Sequence, residues 1–231
     1  MAALRRSPGK GTLAAFRAAE ADGADGVELD VQLSRDGVPV VLHDDTVDRT
    51  THGQGAVRDL TLAELRQLDA GAWFDAAFAG ESIPTLEEVL VWGGDRLRLN
   101  IEIKDSAAGM AVLDLAACYS RVPMVVSSFD HDLLAVICRK APNMPLAFLW
   151  EQPDWRGAVK RAAACRAASF HPRFDCLTAE LVAACHRHNM AVFPWTVDEI
   201  DALERCRLLA VDGIFCNDPA RAKAWQQGKA F

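Results

Sequence analysis

The 231-residue chain has no run of 18 apolar residues, so no membrane-spanning helix is expected. Its opening, MAALRRSPGKG, lacks an apolar h-region, and a signal peptide is not expected either. No CxxC pair occurs, and the seven cysteines all fall in the second half of the chain. An odd count without metal-ligand spacing excludes a disulfide framework and a zinc cluster. It implies reduced, mostly buried thiols in a cytoplasmic protein. Positive charge is also in deficit: 25 Lys and Arg against 32 Asp and Glu give a net charge of −7. That disfavours nucleic acid as a partner, because phosphate backbones need a clustered basic face. An anionic small molecule stays possible, since a metal or a few local cations reverse the field of a site. The leading glycine of a phosphate loop is missing before Gly9–Thr12, and no strand precedes it. No linker-like stretch divides the chain, so one domain over residues 1–231 is expected.

What is present is an alternation. Short apolar runs lie at 26–31, 38–42, 98–103, 124–129, 146–150, 167–170, 191–196 and 213–216, most of them rich in Val, Ile or Phe as strands are. Helical patterns lie between them. Thr12 caps one; Thr61 with Glu64 and Thr85 with Glu88 match capping boxes. Thr178 and Asp198 start two more, and Asp218-Pro219 reads as an N-cap with proline at the first helical position. Strand then helix, repeated, means a mostly parallel sheet.

One pair breaks the rule. QLSRDG is too short for a parallel crossover between 26–31 and 38–42, so the second run returns antiparallel. Asp36-Gly37 reads as a two-residue turn, which would set His43 opposite Asp30 and Pro39 opposite Ser34. Seven parallel strands remain, where a (β/α)8 barrel wants eight. The deficit is at the front. A TIM-type barrel with its first strand absent or truncated, Met1–Arg6 forming at most a short remnant, is the expectation. Such a chain would be less stable and less soluble than one with that strand added, because open sheet edges leave backbone groups unpaired.

Glu28 and Asp30 are two apart on a strand and share a face; Asn100, Glu102 and Lys104 do the same on another. In a barrel the alternating Val27, Leu29, Val31, Leu99, Ile101 and Ile103 would pack under the helices, leaving the charged set at the mouth. Three converging carboxylates repel one another. A hard divalent cation, Mg²⁺ or Ca²⁺, resolves that conflict; a buried ion pair of Glu102 with Lys104 or an arginine is the plainer reading. His43 ends the return strand and has a side chain suited to proton transfer. His186 and His188 read as solvated, as does His131. His52 and His171 are left open.

At these residues the chain resembles a known family. VELDVQLSRDGVPVVLHDDTVDRTTHGQGAV, then DLTLAELRQLDAG, IPTLEEVL and NIEIK, with WTVD and DGIFCNDP later, closely resemble the glycerophosphodiester phosphodiesterases. The resemblance runs from Thr12 over nearly the whole chain. It implies a (β/α)8 barrel with a small insertion at 44–81. It also implies divalent-metal-dependent hydrolysis of glycerophosphodiesters to glycerol 3-phosphate and an alcohol. By motif match Glu28, Asp30 and Glu102 look like metal ligands and His43 like one of two acid/base histidines. Lys104 looks like a phosphate contact and Trp195 like a wall of the glycerol pocket.

The front of the chain departs from the family. The family opens with a strand ending His-Arg-Gly and a loop ending Pro-Glu-Asn-Thr; here Ser-Pro-Gly-Lys-Gly-Thr precedes Leu13. The second histidine is absent, and Arg5 would stand in for the arginine that contacts phosphate. Two readings follow. One is an enzyme with impaired proton transfer, or one whose reading frame is shortened. The other is a catalytically inactive barrel that binds a phosphodiester or a protein partner.

Overall fold

The computed structural model describes residues 11–228. Helix α1 (Leu13–Ala21) starts where Thr12 Oγ1 accepts the Ala15 N–H at 3.2 Å, as its sequence position requires. Strand β1 (Gly26–Leu33) follows, then the short return strand β2 (Pro39–Val41). The stretch 44–81 holds one short α-helix, α2 (Leu62–Leu65), with the Thr61–Glu64 capping box formed, and 3-10 turns at Val57–Asp59 and Ala76–Phe78. Thr85 and Glu88 form the second capping box, at the head of α3 (Leu86–Gly93).

From there strands and helices alternate as far as α8: β3 (Arg98–Ile103), α4 (Gly109–Cys118), β4 (Met124–Ser128), α5 (His131–Lys140), β5 (Leu146–Trp150), α6 (Arg156–Ala164), β6 (Ser169–Pro172), α7 (Ala179–Arg187), β7 (Ala191–Val192) and α8 (Ile200–Leu208), with α9 (Pro219–Gln226) following α8. The sheet order is β2-β1-β3-β4-β5-β6-β7, with only the β1–β2 pair antiparallel. Sequential parallel neighbours with a helix after each are the order of a TIM-type α/β barrel.

The 213–216 run is not a regular strand. It nevertheless lies along β7: Asp212 N–H donates to Val192 O (3.1 Å) and Phe215 N–H to Pro194 O (3.0 Å). Gly213 makes that approach possible, since a Cβ there would sit 2.5 Å from Phe193 Cε1. Regular structure in the 191–196 run is confined to Ala191–Val192, and β6 begins only at Ser169. Met1–Arg6, including Arg5, lies outside the described residues.

Two apolar cores form. The larger lies between sheet and helices and takes Val27, Leu29, Val31, Leu99, Ile101 and Ile103, as the alternation requires. The smaller belongs to 44–81: Val47, Val57, Leu65 and Ala70 pack with Ile83 and with Val40 and Leu42 of the return segment. The return strand therefore has apolar packing on both faces, Val41 in one core and Val40 and Leu42 in the other.

The hairpin corrects the expected register. Its loop has three residues, Arg35-Asp36-Gly37, closed by Ser34 N–H to Val38 O (3.0 Å). Gly37 takes φ +81°, a left-handed value that glycine adopts without steric cost. Asp36 is tied into the loop because Oδ1 accepts from Ser34 Oγ (2.7 Å) and from the Leu62 N–H (2.9 Å). The extra loop residue slips the pairing by one. Val31 faces Val41, Pro39 faces Leu33 rather than Ser34, and Leu42 N–H donates to Asp30 O (3.0 Å). Leu42, not His43, is opposite Asp30.

Two smaller expectations also fail. Asp198 does not cap α8, whose first turn follows Glu199; its carboxylate instead takes the Asn217 N–H (2.6 Å) and Asn217 Nδ2 (2.5 Å). His131 is buried rather than solvated. It opens α5 against the sheet, its Nε2 2.9 Å from Leu149 O and its ring 4.7 Å from that of Phe148.

Candidate active site

The carboxylates converge because of strand register. In the parallel β1–β3 ladder Asp30 is the partner of Glu102, and Glu28 of Asn100. Partners in a ladder point to the same face, so all four side chains enter the barrel. Ligand atoms of Glu28, Asp30 and Glu102 lie within 4.8 Å of one another. Lys104, the next inward residue of β3's line, reaches back with Nζ 2.6 Å from Glu102 Oε1 and 3.2 Å from Asp30 Oδ1. The ion pair read from the sequence as the plainer alternative is therefore present, beside the acidic cluster.

Burial, then the charge of Asp30, pushes the Glu102 carboxyl above its ordinary range, and Lys104 opposes this only in part. For Lys104 the outcome is reversed: burial works against its charge, but Asp30 and Glu102 together raise its pKa. Lys104 thus pairs with two of the three carboxylates, Asp30 and Glu102. Asn100 Oδ1, buried in the same wall, has no hydrogen-bond partner among the described residues. Hard oxygens at mutual ligating distance, repulsion between Asp30 and Glu102 and an amide oxygen unpartnered among the described residues fit a divalent cation. Glu28, Asp30 and Glu102 are the residues that would hold it.

These groups line a cavity of about 350 Å³ at the C-terminal ends of the strands. Its other walls are Phe129 after β4, Leu149 and Glu151 on β5's line, and Trp195, Thr196 and Phe215 beyond β7. Phe129 and Trp195 meet edge to face at 5.8 Å, and Trp195 Nε1 donates to His171 O at 2.9 Å.

His43 lines this cavity too, despite the slipped register. β2 ends at Val41, and the chain leaves the ladder before reaching it. Its Nδ1 lies 2.7 Å from Asp44 Oδ1, and Arg49 grips the same carboxylate through Nε (2.5 Å) and Nη2 (2.9 Å). Arg49 first, and His43 after it, hold the Asp44 carboxyl down at about 2 against a smaller penalty from burial. An ionised Asp44 can only accept, so Nδ1 carries a proton, and in the neutral ring Nε2 is the nitrogen with the lone pair. Asp44 and Arg49 escaped the sequence reading as site residues, although both sit in the HDDTVDR stretch it singled out.

The remaining histidines stand apart. His52 Nδ1 accepts the Asp69 N–H (3.1 Å), and His186 Nε2 lies 2.9 Å from Asp212 on the surface. His171 is fully buried among Phe193 and Phe215, with Nε2 2.8 Å from Ser169 Oγ; burial lowers its pKa to about 3, so it is neutral. All seven cysteines are unpaired. No helix among the described residues is long and apolar enough to cross a membrane.

Comparison with known proteins bears on both sequence and fold. The sequence pattern of the Glycerophosphoryl diester phosphodiesterase family matches residues 5–221. A glycerophosphodiester phosphodiesterase of Caldanaerobacter subterraneus subsp. tengcongensis is 41% identical over 218 residues, covering 90% of this chain and 88% of that protein. The solved structure of an Oleispira antarctica phosphodiesterase in complex with the product sn-glycerol-3-phosphate superposes with a TM-score of 0.87 at 26% identity, covering 96% of this chain and 92% of that one. A Thermotoga maritima glycerophosphodiester phosphodiesterase gives 0.78 at 29% identity, covering 94% and 92%. Matched along nearly its whole sequence and barrel, this chain belongs to the glycerophosphoryl diester phosphodiesterase family.

Proposed function

We propose that this chain is a divalent-cation-dependent hydrolase that converts glycerophosphodiesters to glycerol 3-phosphate and an alcohol. The observation that carries the reading is the convergence of Glu28, Asp30 and Glu102 within 4.8 Å at the barrel mouth. A bound cation supplies Lewis-acid stabilisation of charge on the phosphate and lowers the pKa of a coordinated hydroxyl. Lys104 is the phosphate contact and Trp195 the wall against which the glycerol carbons pack. His43 moves the proton. Its Nε2 would accept the proton of the glycerol hydroxyl as that oxygen bonds phosphorus and the P–O bond to the alcohol breaks, the departing alcohol taking its proton from solvent; in the second half the protonated Nε2 would return its proton to the glycerol oxygen as water adds to phosphorus, opens the cycle and loses a proton to solvent.

His43 is the one histidine lining the cavity among the described residues. A single proton carrier serves one role at a time, so turnover is expected to fall below that of a two-histidine site by ~10²–10⁴-fold. The seven free thiols support a reducing, cytoplasmic setting, and 44–81 is an insertion within one barrel domain.

The test is release of glycerol 3-phosphate from glycerophosphocholine, with chelator and with Mg²⁺ or Ca²⁺ restored. Release that needs the cation and disappears in Glu102→Gln is the expected result. Tight binding of the diester without any release, at every cation concentration, would leave an inactive phosphodiester-binding barrel instead.

A further inference from the structure

We infer that Cys138 and Cys165 form an oxidisable dithiol, which a peroxide closes to a disulfide that staples helix α5 to helix α6. The inference does not depend on the phosphodiesterase reading above.

Cys138 lies in the last turn of α5, and Cys165 is the C-cap of α6. Both are half-buried, whereas Cys176, Cys185, Cys206 and Cys216 are buried and Cys118 is exposed. A helix end leaves its last carbonyls without intrahelical donors. The Cys138 thiol supplies one, with Sγ 3.4 Å from Cys165 O. The two thiols are also hydrogen-bond partners of each other. Capping alone accounts for Cys138, but not for a second sulfur at its side.

Charge and reach agree. Arg161 and Arg139 bring positive charge to the pair, and a partly open, electropositive setting is where thiols oxidise. Burial, then the contact with Cys138, raises the Cys165 pKa against those two arginines, so Cys165 keeps its proton and Cys138 is the sulfur that reacts first. A carbonyl oxygen lies about 2.4 Å from the Cα of its own residue, which sets the Cys138 sulfur within side-chain reach of the Cys165 backbone. From hydrogen-bonding contact to a covalent bond the sulfurs approach by ~2 Å. Cys165 can take up that movement because it ends a helix, with Arg166 after it in the left-handed region at φ +51°.

The oxidant is a hydroperoxide, and the steps balance. The Cys138 sulfur takes one oxygen of hydrogen peroxide: an S–O bond forms, the O–O bond breaks, and the thiol proton leaves with the other oxygen as water. The Cys165 sulfur then attacks that Cys138 sulfur. The S–S bond forms, the S–O bond breaks, and the hydroxyl leaves with the Cys165 proton as water. Two thiols lose two electrons, and one peroxide is reduced to two waters. β5 packs against both α5 and α6 and lies within the segment that the disulfide closes. Barrel helices run back from the C-terminal ends of the strands, so both cysteines sit at the face opposite the cavity. The staple therefore acts on stability and leaves the chemistry of the cavity alone.

The experiment treats the reduced chain with a small excess of hydrogen peroxide, blocks the remaining thiols with iodoacetamide in denaturant, and maps the tryptic peptides by mass spectrometry. The expected product joins the Cys138 and Cys165 peptides, two hydrogens lighter than the separate thiols, with the other cysteines alkylated. The melting temperature should rise by roughly 5–10 °C and fall back with dithiothreitol. Cys138→Ser and Cys165→Ser should each lose both the link and the rise. Reduced and oxidised parent carry the comparison by themselves if a serine variant folds poorly. Peroxide that leaves both thiols open to alkylation, takes either to a sulfinic acid without a link, or joins either to another cysteine overturns the inference. A link that forms without raising the melting temperature overturns the staple.

Discussion

His43 Nδ1 lies 2.7 Å from Asp44 Oδ1, and the histidine is thereby held in one tautomer with Nε2 turned free. The carboxylate that does this is itself clamped by Arg49 from the other side. Adjacent residues in the chain thus form the base and its orienting group, and the arginine five positions on from Asp44 holds the same carboxylate through two hydrogen bonds.

His43→Asn should lower kcat by ~10²–10⁴-fold with little change in KM, because proton transfer is lost and binding is not. Asp44→Asn should lower kcat by roughly 10–100-fold while keeping the ring in place. Steady-state kinetics on glycerophosphocholine separate the two; an Asp44→Asn enzyme at full kcat would show that the contact is incidental.

Asp44 also bears on stability. Its pKa falls from an ordinary 3.8 to about 2, so its stabilising contribution is present above pH 3.8 and is lost as pH falls through about 2. The group is partly open to solvent, which limits that contribution to ~0.5–1 kcal/mol. Urea midpoints for parent and Asp44→Asn should therefore differ at neutral pH and converge in strong acid.

Glu102 behaves in the opposite sense. Its pKa lies above the ordinary 4.5, raised by burial and then by Asp30, so its favourable contribution is complete below about that pH and is lost as pH rises through the raised value. In cation-free buffer Glu102→Gln should accordingly gain stability over the parent as pH rises from 4.5 to 8. Thermal melts over that range decide the matter, and a variant that becomes relatively less stable would refute the charge conflict.

Added cation should reverse that order. Binding to the folded state alone stabilises by ~2.7 kcal/mol at a cation concentration 100-fold above Kd. Mg²⁺ or Ca²⁺ should raise the melting temperature of the parent and do little for Glu28→Gln or Asp30→Asn. Equal shifts in all three would place the cation elsewhere.

Gly213→Ala tests the barrel's closing segment. The new Cβ would meet the Phe193 ring at 2.5 Å, and overpacking of that kind costs ~1–3 kcal/mol. For a chain of this size that is a fall of ~2–4 °C in melting temperature per kcal/mol. An unchanged melt would mean that Phe193 swings aside freely.

Much of this molecule is set locally, and those parts are legible in the chain. The capping boxes at Thr61 and Thr85 and the caps at Thr12, Thr178 and Asp218 form as their spacing requires, because a cap depends on three or four consecutive residues. The inward set Glu28, Asp30, Glu102 and Lys104 follows from the period of a strand, and the strand–helix alternation dictates the sheet order. What the chain alone could not decide depended on partners distant in sequence. The hairpin closed through Ser34 and Val38 over a three-residue loop, whose Asp36 also holds the distant Leu62 N–H, and this moved Leu42 opposite Asp30. Asp198 had a helix to cap and a remote asparagine to hold, and the asparagine won. His131 looked like any helix-opening polar residue until β5 offered it a carbonyl. Glu151 became a site residue only when the barrel brought β5 round to the acidic cluster of β1 and β3. Local rules choose which way a side chain points along its own element; only the packing of the elements decides what it finds there.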